Sequence, residues 1–214
     1  LSVYMDDPHG FGRVVRNAAG SVQAIVEEAQ ADASTLAINE LNVGAYCFRS
    51  KWLWGALERI KISPKGEYYL TDTVELAVSE KQRVECLVLD DPHEAIGINT
   101  LVHLAEAEAV LRRRINQRWM LAGVTMVDPE TTYIDLDVQL SPDTVLYPNC
   151  HLQGNTRIGT GCRIGPGAYL HNATVEDHCT IGPEVILRNA TIKKCITLRF
   201  TMVDSELEIM DCTS

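Results

Sequence analysis

The second half of the chain repeats an aliphatic residue at every sixth position, and only a few folds can accommodate such a period. The repeated residues are Ile134, Leu140, Leu146, Leu152, Ile158, Ile164 and Leu170. Short polar turns, often with glycine or proline, follow them, and the step shortens to five at Val175 and Ile192. A β-sandwich strand would alternate with a period of two instead. The period of six therefore predicts a parallel β-helix, in which three short strands close each triangular coil.

The residues before this repeat mix strand and helix patterns. We predict strands at 13–16, 24–27, 42–48 and 84–89, and helices at 52–60 and 71–79. The turn at 17–20 makes the first two strands a hairpin. Alternating strands and helices indicate an α/β domain, and the ligands of such domains usually bind at the carboxyl ends of the strands.

A long amphipathic segment joins these two patterns. Its apolar residues recur at helical spacing: Leu101, Leu104, Leu111, Ile115, Trp119 and Ala122. The spacing predicts one long helix with a solvated opposite face. We therefore expect an α/β domain at 1–101, a linker helix at 102–122 and a β-helix at 123–214.

Composition and charge narrow the classes of partner. The 214 residues carry a net charge of −10 at pH 7, and this field repels nucleic acid and anionic lipid. No apolar run reaches the ~18 residues of a membrane span. Seven scattered cysteines without a CxxC pair indicate reduced thiols in the cytoplasm. The charge and the lack of a long apolar run predict neither a nucleic-acid nor a membrane partner. The chain opens at Leu1 without an initiator methionine, so we also expect it to be a fragment.

Three residues in the first half could contact a ligand, and each also has an ordinary structural role. Gly12 would let a ligand approach the backbone closely and offers an unobstructed N–H, although a turn glycine is the commoner case. Glu27 ends a predicted strand and could accept hydrogen bonds from two vicinal hydroxyls, or could be a solvated strand end. Asn42 offers a donor and an acceptor, or could cap a turn.

Five motifs occur in a fixed order along the first half. They are Asp7-Pro8-His9-Gly10-Phe11-Gly12-Arg13, Ile25-Val26-Glu27-Glu28, Glu40-Leu41-Asn42-Val43-Gly44, Gly66-Glu67-Tyr68-Tyr69-Leu70-Thr71-Asp72 and Gly97-Ile98-Asn99. With the helix and the hexapeptides, this order resembles the bifunctional UDP-N-acetylglucosamine pyrophosphorylase/glucosamine-1-phosphate N-acetyltransferase family, to about Lys194. His9, Phe11 and Val43 stand where that family usually has Thr, Tyr and Thr.

The resemblance implies a fold and a set of site residues. The fold is a partial Rossmann-like nucleotidyltransferase domain, a linker helix and a left-handed parallel β-helix of hexapeptide repeats. The residues implied to bind UDP-N-acetylglucosamine are Gly12, Glu27, Asn42, Tyr69, Thr71 and Asn99. Asn99 is also implied to be a Mg²⁺ ligand through its amide oxygen, a role that suits a cation completed by phosphates and water. Its alternative role is a helix N-cap.

The resemblance also implies a reaction and partners. N-acetylglucosamine-1-phosphate attacks the α-phosphorus of UTP and releases pyrophosphate, with Mg²⁺ present and without a covalent enzyme intermediate. In the full-length family member, the β-helix acetylates glucosamine-1-phosphate with acetyl-CoA as co-substrate and forms a homotrimer. The family's glycine-rich nucleotide loop and its magnesium-binding aspartate have no counterpart among the motifs above, so we expect this chain to be inactive alone.

Other interpretations of the sequence remain open. A different sugar-1-phosphate nucleotidyltransferase with a β-helix tail, or a non-catalytic β-helix assembly subunit, would share much of the pattern. The sequence assigns no role to Arg188, and His151, His171 and His178 do not make a convincing metal set. Residues 196–204 lose the six-residue phase, as an irregular coil or a damaged reading frame would.

Overall fold

The structure is a computed structural model, and it describes residues 1–6, 8, 10–193, 202–204 and 208–210. It contains two compact units, Leu1–Gly97 and Ile98–Ser214. No helix among the described residues is both long enough and apolar enough to cross a membrane.

The first unit is built on a four-stranded sheet flanked by short helices. The strands are β1 (Ser2–Tyr4), β2 (Arg13–Arg16), β3 (Val22–Val26) and β4 (Glu40–Asn42), and the helices are α1 (Ala33–Leu36), α2 (Ser50–Leu57) and α3 (Asp72–Ser79). The strand order is β1-β4-β2-β3, and the neighbours pair antiparallel. Single 3₁₀ turns lie at Glu28–Gln30 and Pro92–Ala95.

The predicted hairpin is confirmed as β2 and β3. Asn17 closes its turn, because the Asn17 side-chain oxygen accepts the backbone N–H groups of Ala19 and Ser21 at 3.0 and 2.9 Å. Gly20 has a φ of +81°, a conformation that glycine adopts without steric cost. The helix predicted at 71–79 is confirmed as α3, whose Val74 packs against the hairpin.

Two predicted strands are wrong. The strand predicted at 42–48 ends at Asn42, because the chain turns at Gly44, where φ is +81°. The segment 84–89 contributes only an isolated bridge between Val88 and Ser2. The Ser2 N–H donates to the Leu87 carbonyl, and the Leu89 N–H donates to the Ser2 carbonyl. Both bonds to β1 therefore involve the same residue, Ser2.

One buried ion pair ties the sheet together. Glu40 in β4 is almost fully buried, and both of its carboxylate oxygens accept hydrogen bonds from Arg16 in β2 at 2.6 Å. The Ser2 hydroxyl in β1 donates to the same carboxylate at 2.7 Å. These bonds, above all those from Arg16, hold the pKa of Glu40 below its usual range. The pair therefore fixes β1, β2 and β4 against one another.

The second unit begins with the predicted long helix, α4 (Leu101–Leu121). Its N-cap is Thr100, whose hydroxyl accepts the His103 N–H at 3.2 Å. Within this unit, the Asn116 side chain donates to the carbonyls of Pro129 and Thr132 at 2.8 and 2.9 Å. These bonds attach α4 to the first turn of the β-helix.

Fourteen short strands follow α4 among the described residues and wind into parallel coils. They are β5 (Thr125–Met126), β6 (Tyr133–Ile134), β7 (Gln139–Leu140), β8 (Val145–Leu146), β9 (His151–Gln153), β10 (Arg157–Ile158), β11 (Arg163–Ile164), β12 (Tyr169–His171), β13 (Thr174–Val175), β14 (Thr180–Ile181), β15 (Ile186–Arg188), β16 (Thr191–Lys193), β17 (Met202–Asp204) and β18 (Glu208–Met210). They form three parallel sheets, ordered β7-β10-β13-β16-β18, β5-β8-β11-β14 and β6-β9-β12-β15-β17. This is a parallel β-helix, as the period of six predicts, and it is consistent with the left-handed form that the resemblance implies.

The coil length follows from the strand register. Ile134 pairs with Leu152 and Leu152 pairs with Leu170, so each of these two coils takes 18 residues. Leu170 pairs with Leu187, so the third coil on that face takes 187 − 170 = 17. The shortened steps at Val175 and Ile192 therefore keep each strand above its predecessor. Part of the phase-breaking tail, residues 196–201, lies outside the described residues, but Met202–Asp204 pairs with Ile186–Arg188 and continues the sheet.

The core of the β-helix contains a second residue layer that the period of six did not reveal. All of the predicted aliphatic residues are buried. Buried residues, mostly small, also stand two positions before each of them: Thr132, Val138, Thr144, Cys150, Thr156, Cys162, Ala168, Ala173, Cys179, Val185 and Ala190. Three of the cysteines are therefore packing residues of the coil interior.

Candidate functional site

Three of the predicted site residues meet at one edge of the first sheet. Gly12 directly precedes β2, Glu27 directly follows β3, and Asn42 is the last residue of β4. Because β2 is antiparallel to both of its neighbours, its start lies beside the ends of β3 and β4. The Asn42 backbone N–H donates to the Gly12 carbonyl at 2.8 Å. The structure thus brings together residues that lie 30 positions apart in sequence (42 − 12).

Thr71 orients the Glu27 carboxylate. The Thr71 hydroxyl donates to Glu27 Oε1 at 2.9 Å, and Thr71 is itself buried. Thr71 is the N-cap residue of α3, yet its side chain makes no capping bond and donates its hydrogen bond to Glu27 instead. Glu27 Oε2 has no hydrogen-bond partner in the part of the chain that the structure describes. One carboxylate oxygen is therefore anchored, and the other is available to a ligand.

Gly12 makes room for that carboxylate. A Cβ placed on Gly12 would lie 3.4 Å from Glu27 Oε2 and 3.3 Å from Ile25 Cγ2, closer than most Cβ contacts. A larger residue would push against both side chains. The need for glycine at this position comes from close approach rather than from backbone conformation.

The Asn42 side chain is held by a turn and by an aromatic residue. Its Oδ1 accepts the Gly44 N–H at 3.1 Å and the Tyr46 hydroxyl at 2.9 Å. The bond to Asn42 places Tyr46 at the same site. Burial, and to a smaller extent the negative charge of Glu27, raises the pKa of Tyr46. The sequence did not single out Tyr46, because the only signal was its place in an apolar run.

Tyr69 is not joined to this group by any hydrogen bond among the described residues. Its hydroxyl donates to Glu67 Oε2 at 2.8 Å, and this bond raises the pKa of Tyr69. The Glu27 charge contributes weakly in the same direction. A role for Tyr69 in binding remains a prediction from the motif.

Asn99 belongs to the second unit, where it precedes α4. Its backbone N–H approaches His103 Nδ1 at 3.3 Å, and the capping role falls to Thr100. Its exposed side chain has no hydrogen-bond partner within the described ranges, so the amide oxygen is free to meet a cation. The described residues contain no cluster of three or more His, Cys, Asp or Glu side chains that could hold a metal ion by themselves. A neutral oxygen donor of this kind fits Mg²⁺, which usually takes few protein ligands.

A ladder of rings runs along one face of the β-helix. Tyr133 stacks on His151 with 4.6 Å between ring centroids, and His151 lies 6.4 Å from Tyr169. Arg112 and Arg188 lie over the outer tyrosines at 4.8 and 5.5 Å. His151 and Arg188 are therefore part of a stacked surface on neighbouring coils, where aligned side chains contact each other.

The comparisons with known proteins cover both halves of the chain. Residues 1–120 match the family model described as nucleotidyl transferase, and residues 137–172 match the bacterial transferase hexapeptide model. Relatives named bifunctional protein GlmU include those of Exiguobacterium sibiricum (43% identical), Trichlorobacter lovleyi (43%) and Limosilactobacillus reuteri (44%). Each alignment covers 178 residues, 83% of this chain and 39 or 40% of the relative.

The chain thus spans about two fifths of the length of the curated relatives it matches. The nucleotidyl transferase match extends over the sheet that carries Gly12, Glu27 and Asn42 and continues into α4. The hexapeptide match falls on coils of the β-helix. The chain therefore belongs to the nucleotidyl transferase family and carries bacterial transferase hexapeptide repeats after its long helix.

Proposed function

We propose that the first unit binds N-acetylglucosamine-1-phosphate for uridylyl transfer from UTP, which yields UDP-N-acetylglucosamine and pyrophosphate. The observation that carries the proposal is the meeting of Gly12, Glu27 and Asn42 at one sheet edge, with Thr71 bonded to Glu27. These are the residues that the family resemblance implies for the sugar. Their convergence supports one binding site over a chance set of turn residues.

The chemistry of these groups suits a sugar phosphate. The free oxygen of Glu27 can accept a hydrogen bond from a sugar hydroxyl, and the absence of a Cβ on Gly12 leaves that carboxylate uncrowded. The reaction needs the sugar-phosphate oxygen in line with the departing pyrophosphate, and a rigid holder for the sugar supplies much of that alignment. The residues of this chain would then bind and orient the acceptor.

Asn99 is the residue that would hold Mg²⁺. Its free amide oxygen fits the ion, as described above. When bound, Mg²⁺ neutralises negative charge on the phosphates during transfer. This local charge matters in a chain whose net charge is −10.

The second half supports a wider proposal for the complete protein. We infer a homotrimer formed through the β-helix, with acetylation of glucosamine-1-phosphate by acetyl-CoA as the second activity. The hexapeptide match and the word "bifunctional" in the relatives' names support this inference. A cytoplasmic location is supported by the thiols, since Cys47, Cys86, Cys150 and Cys162 form no disulfide.

The test is pyrophosphate release by the product of the complete open reading frame. We expect magnesium-dependent turnover with N-acetylglucosamine-1-phosphate and UTP, and much less with glucose-1-phosphate and dTTP. Asn99→Ala should abolish or strongly lower the magnesium-dependent turnover, and Asn155→Ala, at an exposed corner of the β-helix, should not. Preference for the second substrate pair would indicate a sister pyrophosphorylase, and no turnover with either would indicate an assembly subunit.

A further inference from the structure

We propose that Tyr46 is a positioning residue that fixes the side-chain amide of Asn42 so that Asn42 presents N–H donors, and not its oxygen, to the ligand. The identity of that ligand as a sugar phosphate rests on the proposed function. The orientation of the amide rests only on the geometry around Asn42.

The orientation follows from what each neighbour can donate. The Gly44 backbone N–H lies 3.1 Å from one side-chain atom of Asn42, and a backbone N–H can only donate. That atom must therefore be the carbonyl oxygen. The Tyr46 hydroxyl lies 2.9 Å from the same oxygen, so it also donates. Two donors occupy the two lone pairs of Oδ1, and the amide cannot flip without losing both bonds.

The remaining group of Asn42 is a pair of N–H donors. Within the described part of the chain, Asn42 Nδ2 donates no hydrogen bond, and Asn42 is only partly buried beside Gly12. A ligand atom that meets it must be an acceptor, such as a hydroxyl oxygen or the carbonyl oxygen of an acetamido group. Glu27 Oε2 has the opposite polarity, because an ionised carboxylate only accepts. The edge thus offers a donor and an acceptor to one sugar.

Tyr46 is well suited to hold this orientation. Its ring stacks on Phe48 at 5.6 Å, and Phe48 stacks on Trp52 at 6.2 Å. Tyr46 also packs against the buried cluster of Val14, Val22 and Val74. The stack fixes the position of the hydroxyl, and burial raises the pKa of Tyr46. Gly44 alone would leave one lone pair of Oδ1 free.

The first arm of the test needs no ligand. The side-chain amide resonances of Asn42 are recorded by ¹H–¹⁵N NMR in the 214-residue chain and in two variants. Tyr46→Phe removes the hydroxyl and should shift these resonances and speed the exchange of the two amide protons. Tyr4→Phe is the matched control, since it also loses one hydroxyl bond in the same unit, to Glu40 at 3.3 Å. Unchanged Asn42 resonances in Tyr46→Phe would overturn the proposal, whatever the ligand.

The second arm measures affinity for N-acetylglucosamine-1-phosphate at high salt, where repulsion between carboxylate and phosphate is screened. Tyr46→Phe should weaken binding about 3- to 10-fold, the effect of one neutral hydrogen bond, and Tyr4→Phe should not. Asn42→Asp keeps the bonds from Tyr46 and Gly44 but replaces the N–H donors with an acceptor, so a loss of about 50-fold or more is expected.

The outcomes of the second arm separate the two proposals. Binding to Asn42→Asp as tight as to the wild type would overturn the donor assignment. An absence of binding to the wild-type chain would count against the proposed function, and the NMR arm would still decide the orientation. If Tyr46→Phe does not fold, Asn42→Asp tests the same polarity independently.

Discussion

The two halves of the molecule bury their apolar residues in different ways. In the β-helix, one continuous core runs through the described coils, and repeated aliphatic residues such as Leu152, Leu170 and Leu187 lie directly above one another on successive coils. In Leu1–Gly97, the buried residues form two separate small clusters, and Trp54 and Leu87 are 66% and 68% exposed. A repeat stabilises itself through neighbouring coils. The first unit depends instead on a few contacts between distant residues, including polar ones.

The first unit also leaves an apolar cleft open. Its volume is about 710 Å³, and Val14, Tyr46, Phe48, Trp52 and Cys86 are among its lining residues. A protein interior normally has few such voids. The period of six in the sequence thus predicts the closed core of the β-helix. The first unit has no such period, and the sequence does not reveal the polar contacts that hold it together.

The largest expected difference between the two regions is in the cost of a core truncation. Leu170 is fully buried in the β-helix, so Leu170→Ala should lower the free energy of unfolding by about 2–5 kcal/mol. Leu87→Ala in the first unit removes an exposed side chain and should cost less than about 0.5 kcal/mol. Denaturant titration followed by circular dichroism measures both. Equal losses would contradict the difference in burial between Leu170 and Leu87.

Thiol reactivity gives the next contrast. Burial raises the pKa of Cys150 and of Cys162 to about 11, and Cys47 in the first unit is exposed. Two pKa units above an ordinary thiol mean roughly a hundredfold less thiolate, the reactive form. Alkylation at pH 8, followed by peptide mass spectrometry, should therefore label Cys47 at least about 100 times faster. Comparable rates would contradict a closed β-helix core.

Acid should weaken the first unit through Glu40. The folded-state pKa of this carboxyl is lowered by Arg16, so its stabilising contribution is complete above the ordinary value near 4.5 and is lost as the pH falls through the lowered pKa. Glu40→Gln should cost about 1.5–3 kcal/mol at pH 7 and flatten the acid dependence. Urea unfolding from pH 7 to pH 3 measures both effects. Asp137→Asn, at an exposed position of the β-helix, is the control and should change neither.

The smallest predicted effects concern two glycines of the first unit. Gly12→Ala brings a methyl group to 3.3 Å from Ile25 Cγ2 and should lower stability by up to about 1 kcal/mol while weakening sugar-phosphate binding. Gly55 lies in α2 with no atom within 4 Å of an added Cβ, so Gly55→Ala should raise stability by about 0.5–1 kcal/mol. Thermal unfolding distinguishes the opposite signs, and a stabilising Gly12→Ala would contradict the close packing at Glu27.

The sequence predicted the β-helix because every coil repeats the same burial requirement. It missed the second buried layer, where Thr132, Cys150 and Ala168 share small size but not hydrophobicity. It also extended β4 through Gly44, because the apolar pattern of 42–48 carries no information about a positive φ. Apolar periodicity therefore predicts the helices and strands whose stability depends on residues close together in the sequence.

In the candidate site too, the sequence predicted some features and only the structure shows the others. The sequence correctly placed Gly12 before a strand and Glu27 at the end of one, but it placed Asn42 at the start of a strand, whereas β4 ends there. The motifs of the three residues suggested a shared role. The bonds of Thr71 to Glu27 and of Tyr46 to Asn42 could not be predicted. The first joins residues 71 − 27 = 44 positions apart, and the second depends on a turn that folds a tyrosine back onto its strand. Likewise, only the structure shows that Thr100 caps α4 and leaves the Asn99 side chain free.

The central claim is that the sheet edge of the first unit holds the sugar phosphate. Its most direct test is to titrate N-acetylglucosamine-1-phosphate into the ¹⁵N-labelled 214-residue chain and map the shifted amide resonances. We expect shifts at Gly12, Glu27, Asn42 and Thr71, with the coils of the β-helix unchanged. Shifts confined to the β-helix, or equal shifts with inorganic phosphate alone, would contradict the account.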